Sequence, residues 1–505
     1  MNIPPAAAAS VRDNPVGAAD RVATTGLTGS TGLSETTGSP GPKKPSFAVA
    51  LLPLIVMGLL LGVGYGVYKI KPQVLLIAAA FLTGGLGVLL KFSWKDMEQG
   101  IVESIRKALP AILIMLTVGI LIGSWMASGT IPMVIFYGLK LISPKFFLVT
   151  ACLVCSVTAL ATGTSWGTVG TVGVAFIGIA MGLGVPLGLA AGAIVTGAYF
   201  GDKMSPFSDI PNLAAVTAGA NLFDHIKHMM WSAVPGWLIS LAVYFVVGLK
   251  YRTESVDSAA VTLILDTLRK NFRFNVLLLL PMLIVFTLAF TKRPTIPGML
   301  LSSLVAAALA AIFQGASLVE IAQSFNTGYP AHTGVEIVDK LLARGGLMSM
   351  METQLVAFAA FSFGGIMQRT GMLTVILDKV MAAARKVGSL VAVTIGSCVM
   401  TALVTGSSYL SVILPGELLA PAYKKRGLAA KNLSRIIDEC GGIMVPLIPW
   451  SMAGVYITGA LGVPVFSYLP WAIGNYLAIV ILAIYGFTRF TMAPKVREDE
   501  TEAGS

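Results

Sequence analysis

From Ser46 to Phe487, apolar runs near membrane-spanning length follow one another, separated by short polar or glycine- and proline-rich connections. A helix needs about 20 apolar residues to cross roughly 30 Å of hydrocarbon, so the pattern predicts an all-α polytopic membrane protein. Composition agrees: 55% of residues are hydrophobic and 12% are charged, against about 25% charged in a typical soluble domain. The net charge of +11 comes from clusters in short connections, at Lys43-Lys44, Lys250/Arg252, Lys292-Arg293 and Lys424-Lys425-Arg426. That is the pattern of cytoplasmic loops. It lacks the basic and aromatic stripe of a nucleic-acid surface, so no nucleic-acid partner is expected.

Residues 1–45 are rich in Ala, Gly, Ser, Thr and Pro and contain no apolar signal-peptide core; they read as a disordered tail. Lys43-Lys44 before the first run places this tail in the cytoplasm. Residues 489–505 form a charged C-terminal tail. Cys152 and Cys155 sit in an apolar helix without redox context, and with Cys398 and Cys440 they read as small packing residues.

Several apolar runs are too short, or too broken by Gly and Pro, to cross a bilayer alone. Discontinuous and re-entrant helices are tolerated at membrane depth inside protein or along a cavity. Two broken stretches match. TALATGTSWGTVGTVG begins at Thr158 and TALVTGSSYLSVILPG at Thr401, an offset of 243 residues that also carries Gly184 onto Gly427 and Pro206-Phe207-Ser208 onto Pro449-Trp450-Ser451. The chain thus divides into repeat 46–249, polar connection 250–273 and repeat 274–488. The turn Met181–Pro186 is neutral and its counterpart Lys424–Ala429 is basic. If basic loops face the cytoplasm, the two structural repeats are inverted, as in secondary transporters with sites at the midplane.

Chemistry concentrates at three places. Thr162, Gly163, Thr164 and Ser165, and their counterparts Thr405, Gly406, Ser407 and Ser408, offer hydroxyls and freed carbonyls that suit a hard monovalent cation. The stretch TGAYFGDKMSPFSD adds Asp202, Lys203, Ser205 and Asp209, with Gly201 and Pro206 as helix breakers. An ionised Asp deep in a membrane costs at least about 2.5–3.5 kcal/mol and persists where it meets a cation, a proton or a cavity. Asp202 and Asp209 are therefore the expected Na⁺ ligands, able to exchange the ion for a proton. Lys203 is expected to pair with either of them. Asp438, beside Glu439, is a further acidic candidate, and Glu417 a weaker one.

Competing readings fail on context. Gly163–Gly167 matches the G-x-S-x-G nucleophile elbow, which requires a strand-to-helix turn and a partner histidine, and the second copy, GSSYL, has lost the last glycine. YFGD is only a partial match to an intramembrane protease motif. His225 and His228, one turn apart, lack the further ligands of a zinc site and read as a solvated interfacial pair; His332 stands alone. No enzyme activity and no cofactor are expected beyond Na⁺ and H⁺ as transported ions.

The blocks ATGTSWGTVGTVG, GAIVTGAYFGDKMSPFSDIPNLAA, LLARGGLMSMMET and GSSYLSVILPGELLAPAYKKRGLAAKNLSR, followed by VPLIPWSMAGVY, resemble the NhaC sodium/proton antiporter family over nearly the whole of 46–487. The resemblance implies an inverted-repeat transporter of the bacterial inner membrane with re-entrant segments and Na⁺-linked exchange. Its motifs fall on Thr162–Trp166, Asp202–Asp209 and Ser407-Ser408. Similar proteins also include malate/lactate exchangers and amino-acid carriers, so a small organic solute stays open as cargo, as does a homodimer. Arg369 and Arg435 are the nearest candidates to hold a solute carboxylate.

Overall fold

A computed structural model describes residues 43–494, apart from 66, 252–257, 292 and 383–385. The expected N-terminal tail lies almost wholly outside the described residues, and the expected C-terminal tail lies outside them from residue 495 onward. The described chain is helical, with one isolated bridge between Leu428 and Pro494. The first stretch contains α1 (Phe47–Leu59), α2 (Pro72–Leu89), α3 (Trp94–Ser128) and α4 (Thr130–Leu141). Then come α5 (Phe147–Thr162), α6 (Ser165–Thr168), which runs through a π turn into α7 (Val174–Gly182), α8 (Leu187–Met204), α9 (Asp209–Ala218) and α10 (Leu222–Gly248). The middle holds α11 (Ser258–Asn271), α12 (Leu280–Phe290), α13 (Thr295–Leu309), α14 (Leu318–Asn326) and α15 (Glu336–Leu342). The last stretch runs α16 (Leu347–Arg369), α17 (Met372–Met381), α18 (Val387–Thr405), α19 (Ser408–Lys425), α20 (Ala430–Gly441), α21 (Met452–Leu461), α22 (Val465–Tyr468) and α23 (Ile473–Thr488).

Among the described residues, nine helices are long and apolar enough to cross a membrane, and up to twelve if each bent pair is one span. Large apolar side chains face outward on the peripheral helices, for example Phe81, Leu89 and Val157, as a lipid-facing surface requires. The chain is a multi-pass membrane protein. The expected polar connection 250–273 in fact holds α11, bent by 104° against the segment Val276–Phe290. The longest helix among the described residues is α3, whose 35 residues exceed the length needed for one crossing.

Helix boundaries repeat at the offset read from sequence. α5 and α18 end at Thr162 and Thr405, α6 and α19 begin at Ser165 and Ser408, and α8 and α20 begin at Leu187 and Ala430. α9 and α21 coincide at both ends. The chain reverses through left-handed glycines at matching places: Gly163 and Gly406 (φ 69° and 62°), Gly184 and Gly427 (66° and 64°), Gly219 and Gly462 (72° and 65°). A side chain in that conformation costs about 1–2 kcal/mol, which is why glycine stands there in both copies.

One expected breaker has another role. Gly201 lies inside α8, where an added Cβ would collide with the Ser156 carbonyl and the Leu160 amide of α5. Gly197, one turn earlier, meets the Cys152 carbonyl in the same way. The pair forms a small-xxx-small face that brings two membrane helices into close backbone contact. α8 unwinds only after Met204, at Ser205-Pro206.

Candidate functional site

Each copy places two helix breaks against one another. In the first, a Cβ on Gly163 would stand 2.8 Å from the Phe207 carbonyl carbon and 3.0 Å from the Ser208 nitrogen. In the second, a Cβ on Gly406 would stand 3.2 Å from Ser451 Cα and 3.3 Å from the Trp450 carbonyl oxygen. The hydroxyl-rich break between α5 and α6 therefore crosses the Pro-aromatic-Ser break between α8 and α9, and its counterpart repeats the crossing. At each, two helices end and two begin. The carbonyl ends favour a cation, while the amide ends favour a carboxylate.

The first crossing carries the charge. Ser165, the first residue of α6, donates to Asp202 Oδ2 at 2.7 Å. Asp202 Oδ1 is buried and has no hydrogen-bond partner among the described residues. Two further partnerless buried oxygens belong to this neighbourhood. Tyr199 Oη lies one turn before Asp202 on α8. Ser208 Oγ is buried beside the Asp202 carboxylate, within its electrostatic reach, and makes no hydrogen bond of full geometry. Buried polar atoms are nearly always satisfied, so three in one place mark a site built for something else to complete. The sequence reading included Asp202 and Ser165 but missed Tyr199 and Ser208. Ser208 had a signal, since it aligns with Ser451.

Other expected residues have their own partners. Thr162 donates to the Thr158 carbonyl at 2.8 Å, and Thr164 caps α6 by accepting from the Gly167 amide at 3.1 Å. Ser205 is fully buried and accepts from the Phe207 amide at 3.3 Å. Asp209, at the start of α9, is exposed and accepts from the Tyr409 hydroxyl of α19. In the second copy, Thr405 donates to the Thr401 carbonyl at 2.7 Å and Ser407 caps α19 through the Leu410 amide at 3.4 Å. Gly406 accepts from the Met452 amide at 2.9 Å. Ser408 begins α19, half-buried.

Two expectations are corrected. Lys203 pairs with neither aspartate: its Nζ lies 3.2 Å from Glu439 Oε1 on α20, and both side chains are buried. His225 and His228 are not a solvated pair. They are buried against α20, with His225 Nε2 3.1 Å from Asp438 Oδ2, His225 Nδ1 2.9 Å from Ser434 Oγ, and His228 Nε2 3.2 Å from Asn432 Oδ1. Asp438 is thus tied to His225 of α10 through Oδ2. The cause is the polar face of α20, which supplies a hydroxyl, an amide and two carboxylates from more than 200 residues away. Arg435, also on α20 and fully buried, donates to Thr491 Oγ1 at 3.0 Å, while Arg369 lies near Asp96 at 3.5 Å, at the surface. Neither arginine reaches the crossing.

The crossings also bind the two copies together. Tyr456 of α21 donates to the Trp166 carbonyl at 2.6 Å, and the two rings stack at 4.4 Å. On the other side, α9 packs against α19 and α20.

Comparison with known proteins meets this geometry. The chain is 44% identical over 451 residues, 88% of its length and 96% of the relative's, to an uncharacterized Na⁺/H⁺ antiporter of Haemophilus influenzae. It is 37% identical over 448 residues, 88% of its length and 96% of the relative's, to the Na⁺/H⁺ antiporter NhaC of Alkalihalophilus pseudofirmus. The malate-2H⁺/Na⁺-lactate antiporter of Bacillus subtilis is 35% identical over 438 residues, 86% of this chain and 94% of that one. The profile of the Na⁺/H⁺ antiporter family matches residues 197–490, from α8 to the end of α23. The chain belongs to the NhaC family of Na⁺/H⁺ antiporters.

Proposed function

We propose that the protein exchanges Na⁺ for protons across the bacterial inner membrane by alternating access, with Asp202 as the exchanging carboxylate. The observation that carries this is the half-satisfied carboxylate at the first crossing. One oxygen is held by Ser165 and the other is buried without a partner, beside the equally unpartnered Ser208 hydroxyl. A buried carboxylate left in that state is satisfied by a cation or by a proton, and alternation between the two is the elementary step of antiport. Sodium takes hard oxygen donors, and Asp202 and Tyr199 supply them from α8 and Ser208 from the cap position of α9. Asp209, held by Tyr409, stands close enough to Asp202 for their charges to interact. It is the second carboxylate of the same entrance.

In this reading residues 46–249 and 274–488 are two repeats of opposite orientation that rock about the crossings. The matched helix boundaries support duplication, and the charge contrast between Met181–Pro186 and Lys424–Ala429 supports inversion. The N-terminal tail is then cytoplasmic. A second reading, exchange of a small carboxylate alongside the ions, is favoured by the malate–lactate relative. It is weakened by the absence of any arginine at the crossing among the described residues.

The test is purified protein in liposomes, following internal pH after Na⁺ addition with and without malate, lactate or amino acids. Sodium alone should move protons, and Asp202→Asn should abolish the response. A flux that appears only with an organic solute would favour the second reading.

A further inference from the structure

Asp202 and Lys203 are neighbours on the last turn of α8, about 100° apart around the helix axis, and the structure sends them to different partners. Asp202 meets Ser165 of its own repeat. Lys203 crosses to Glu439 of the other, where Ser232 of α10 donates to the same oxygen at 3.0 Å. The pair is almost fully removed from solvent, with side-chain exposures of 6% and 0%. Its geometry is not that of an optimised structural bridge. All donors gather on Oε1, and Oε2 is buried without a partner. Buried ion pairs contribute to stability only when geometry is excellent and the remaining lone pairs are satisfied. A water-sized cavity of about 10 Å³, lined by both Tyr199 and Lys203, gives the lysine and the Asp202 neighbourhood a common wall.

A lysine ammonium next to a sodium site is a built-in competitor for it. It is a cation on a flexible stem, able to neutralise a carboxylate as an ion would. We propose that Glu439 is a residue of the Na⁺ site at one remove: it holds the Lys203 ammonium on the far side of α8, so that Asp202 stays available to the ion. The proposal rests on the reading of Asp202 as the exchanging carboxylate. Glu439 touches neither the ion nor Asp202 and acts only through Lys203. Around it Asp438 meets His225, and the Arg435 guanidinium, which donates to Thr491, feels the Glu439 charge from a distance, so among the described residues Lys203 is the cation in direct contact with Glu439 and Glu439 the carboxylate that the ammonium touches.

The test is a double-mutant cycle in proteoliposomes, reading the apparent KM for Na⁺ in sodium-driven proton flux. Glu439→Gln frees the ammonium and should raise KM by on the order of tenfold or more, the scale of one charged contact. Adding Lys203→Met to Glu439→Gln should bring KM back to within about threefold of the parent, because competitor and restraint leave together. A merely structural bridge predicts the opposite, a double variant at least as impaired as the single. If Glu439→Gln does not reach the membrane, Glu439→Asp, which withdraws the carboxylate by one methylene, should raise KM and respond to Lys203→Met in the same way. A parental KM in the Glu439 variants, or a raised KM that Lys203→Met does not restore, overturns the proposal. Absence of any sodium response in the parent protein overturns the reading of Asp202 instead.

Discussion

The two crossings share a backbone and differ in how they end. At the second, Ser451 is fully used: it caps α21 through the Gly454 amide at 2.9 Å and its hydroxyl lies 2.6 Å from the Val445 carbonyl. The position matching Asp202 is Val445, wholly buried. At the first, Ser208 occupies the same capping position with no side-chain cap bond, and its hydroxyl is left without a partner. One crossing is closed on itself, and the other leaves three oxygens unsatisfied. The shared spacing therefore accounts for the breaks but not for the chemistry. The broken backbone is common to both crossings, and the proposed site lies where one of them leaves its oxygens unsatisfied.

The largest expected effect tests whether that asymmetry is the function. Asp202→Asn removes the charge and keeps the shape, and should lower sodium-driven proton flux by about 100-fold or more, the upper range for a charged hydrogen-bonded group. Flux in liposomes, with thermal unfolding in detergent as a check on folding, measures it. Ser165→Ala should come next. It removes the hydroxyl that donates to Asp202 Oδ2 and should change the apparent KM for Na⁺ by roughly tenfold, whereas Ser408→Ala at the matching position should leave KM near the parental value. Equal effects at 165 and 408 would mean that both crossings carry the ion.

The serines that follow the prolines separate stability from binding. Ser451→Ala deletes a working helix cap and should cost about 1 kcal/mol of stability, with KM unchanged. Ser208→Ala deletes a hydroxyl that caps nothing, so stability should hold while KM for Na⁺ rises several-fold. Thermal unfolding and flux measured on the same two variants give a crossed pattern if the crossings are specialised and a parallel one if they are not.

What the sequence disclosed follows from what is local. Gly163 and Gly406, Pro206 and Pro449, and the hydroxyl runs beside them report their conformation through nearest-neighbour chemistry, so the breaks and their spacing were readable. Asp202 was readable because an acid between apolar runs needs a reason. Gly201 was misread because glycine serves two ends, loosening a helix or admitting a neighbouring backbone, and only the position of α5 decides between them. Tyr199 looked like one more apolar residue of α8. The partners of Lys203 and His225 lie 236 and 213 residues away and come from a helix whose polar face, in isolation, looks solvated. No local pattern encodes which buried charge meets which.

The smallest expected effect concerns the contact between the crossings. Tyr409 follows Ser408 at the second break, and its hydroxyl donates to Asp209 at the edge of the first. Both residues are exposed, and a hydrogen bond reachable by water contributes little net stability, about 0.5–1.5 kcal/mol. Tyr409→Phe should therefore leave folding intact and change flux by no more than a few-fold. If the bond closes the entrance on one side of the cycle, the change should appear in the maximal rate and not in the KM for Na⁺, because the ligands around Asp202 are untouched. A shift in KM instead would place Asp209 inside the ion's own coordination and make the site a two-carboxylate one.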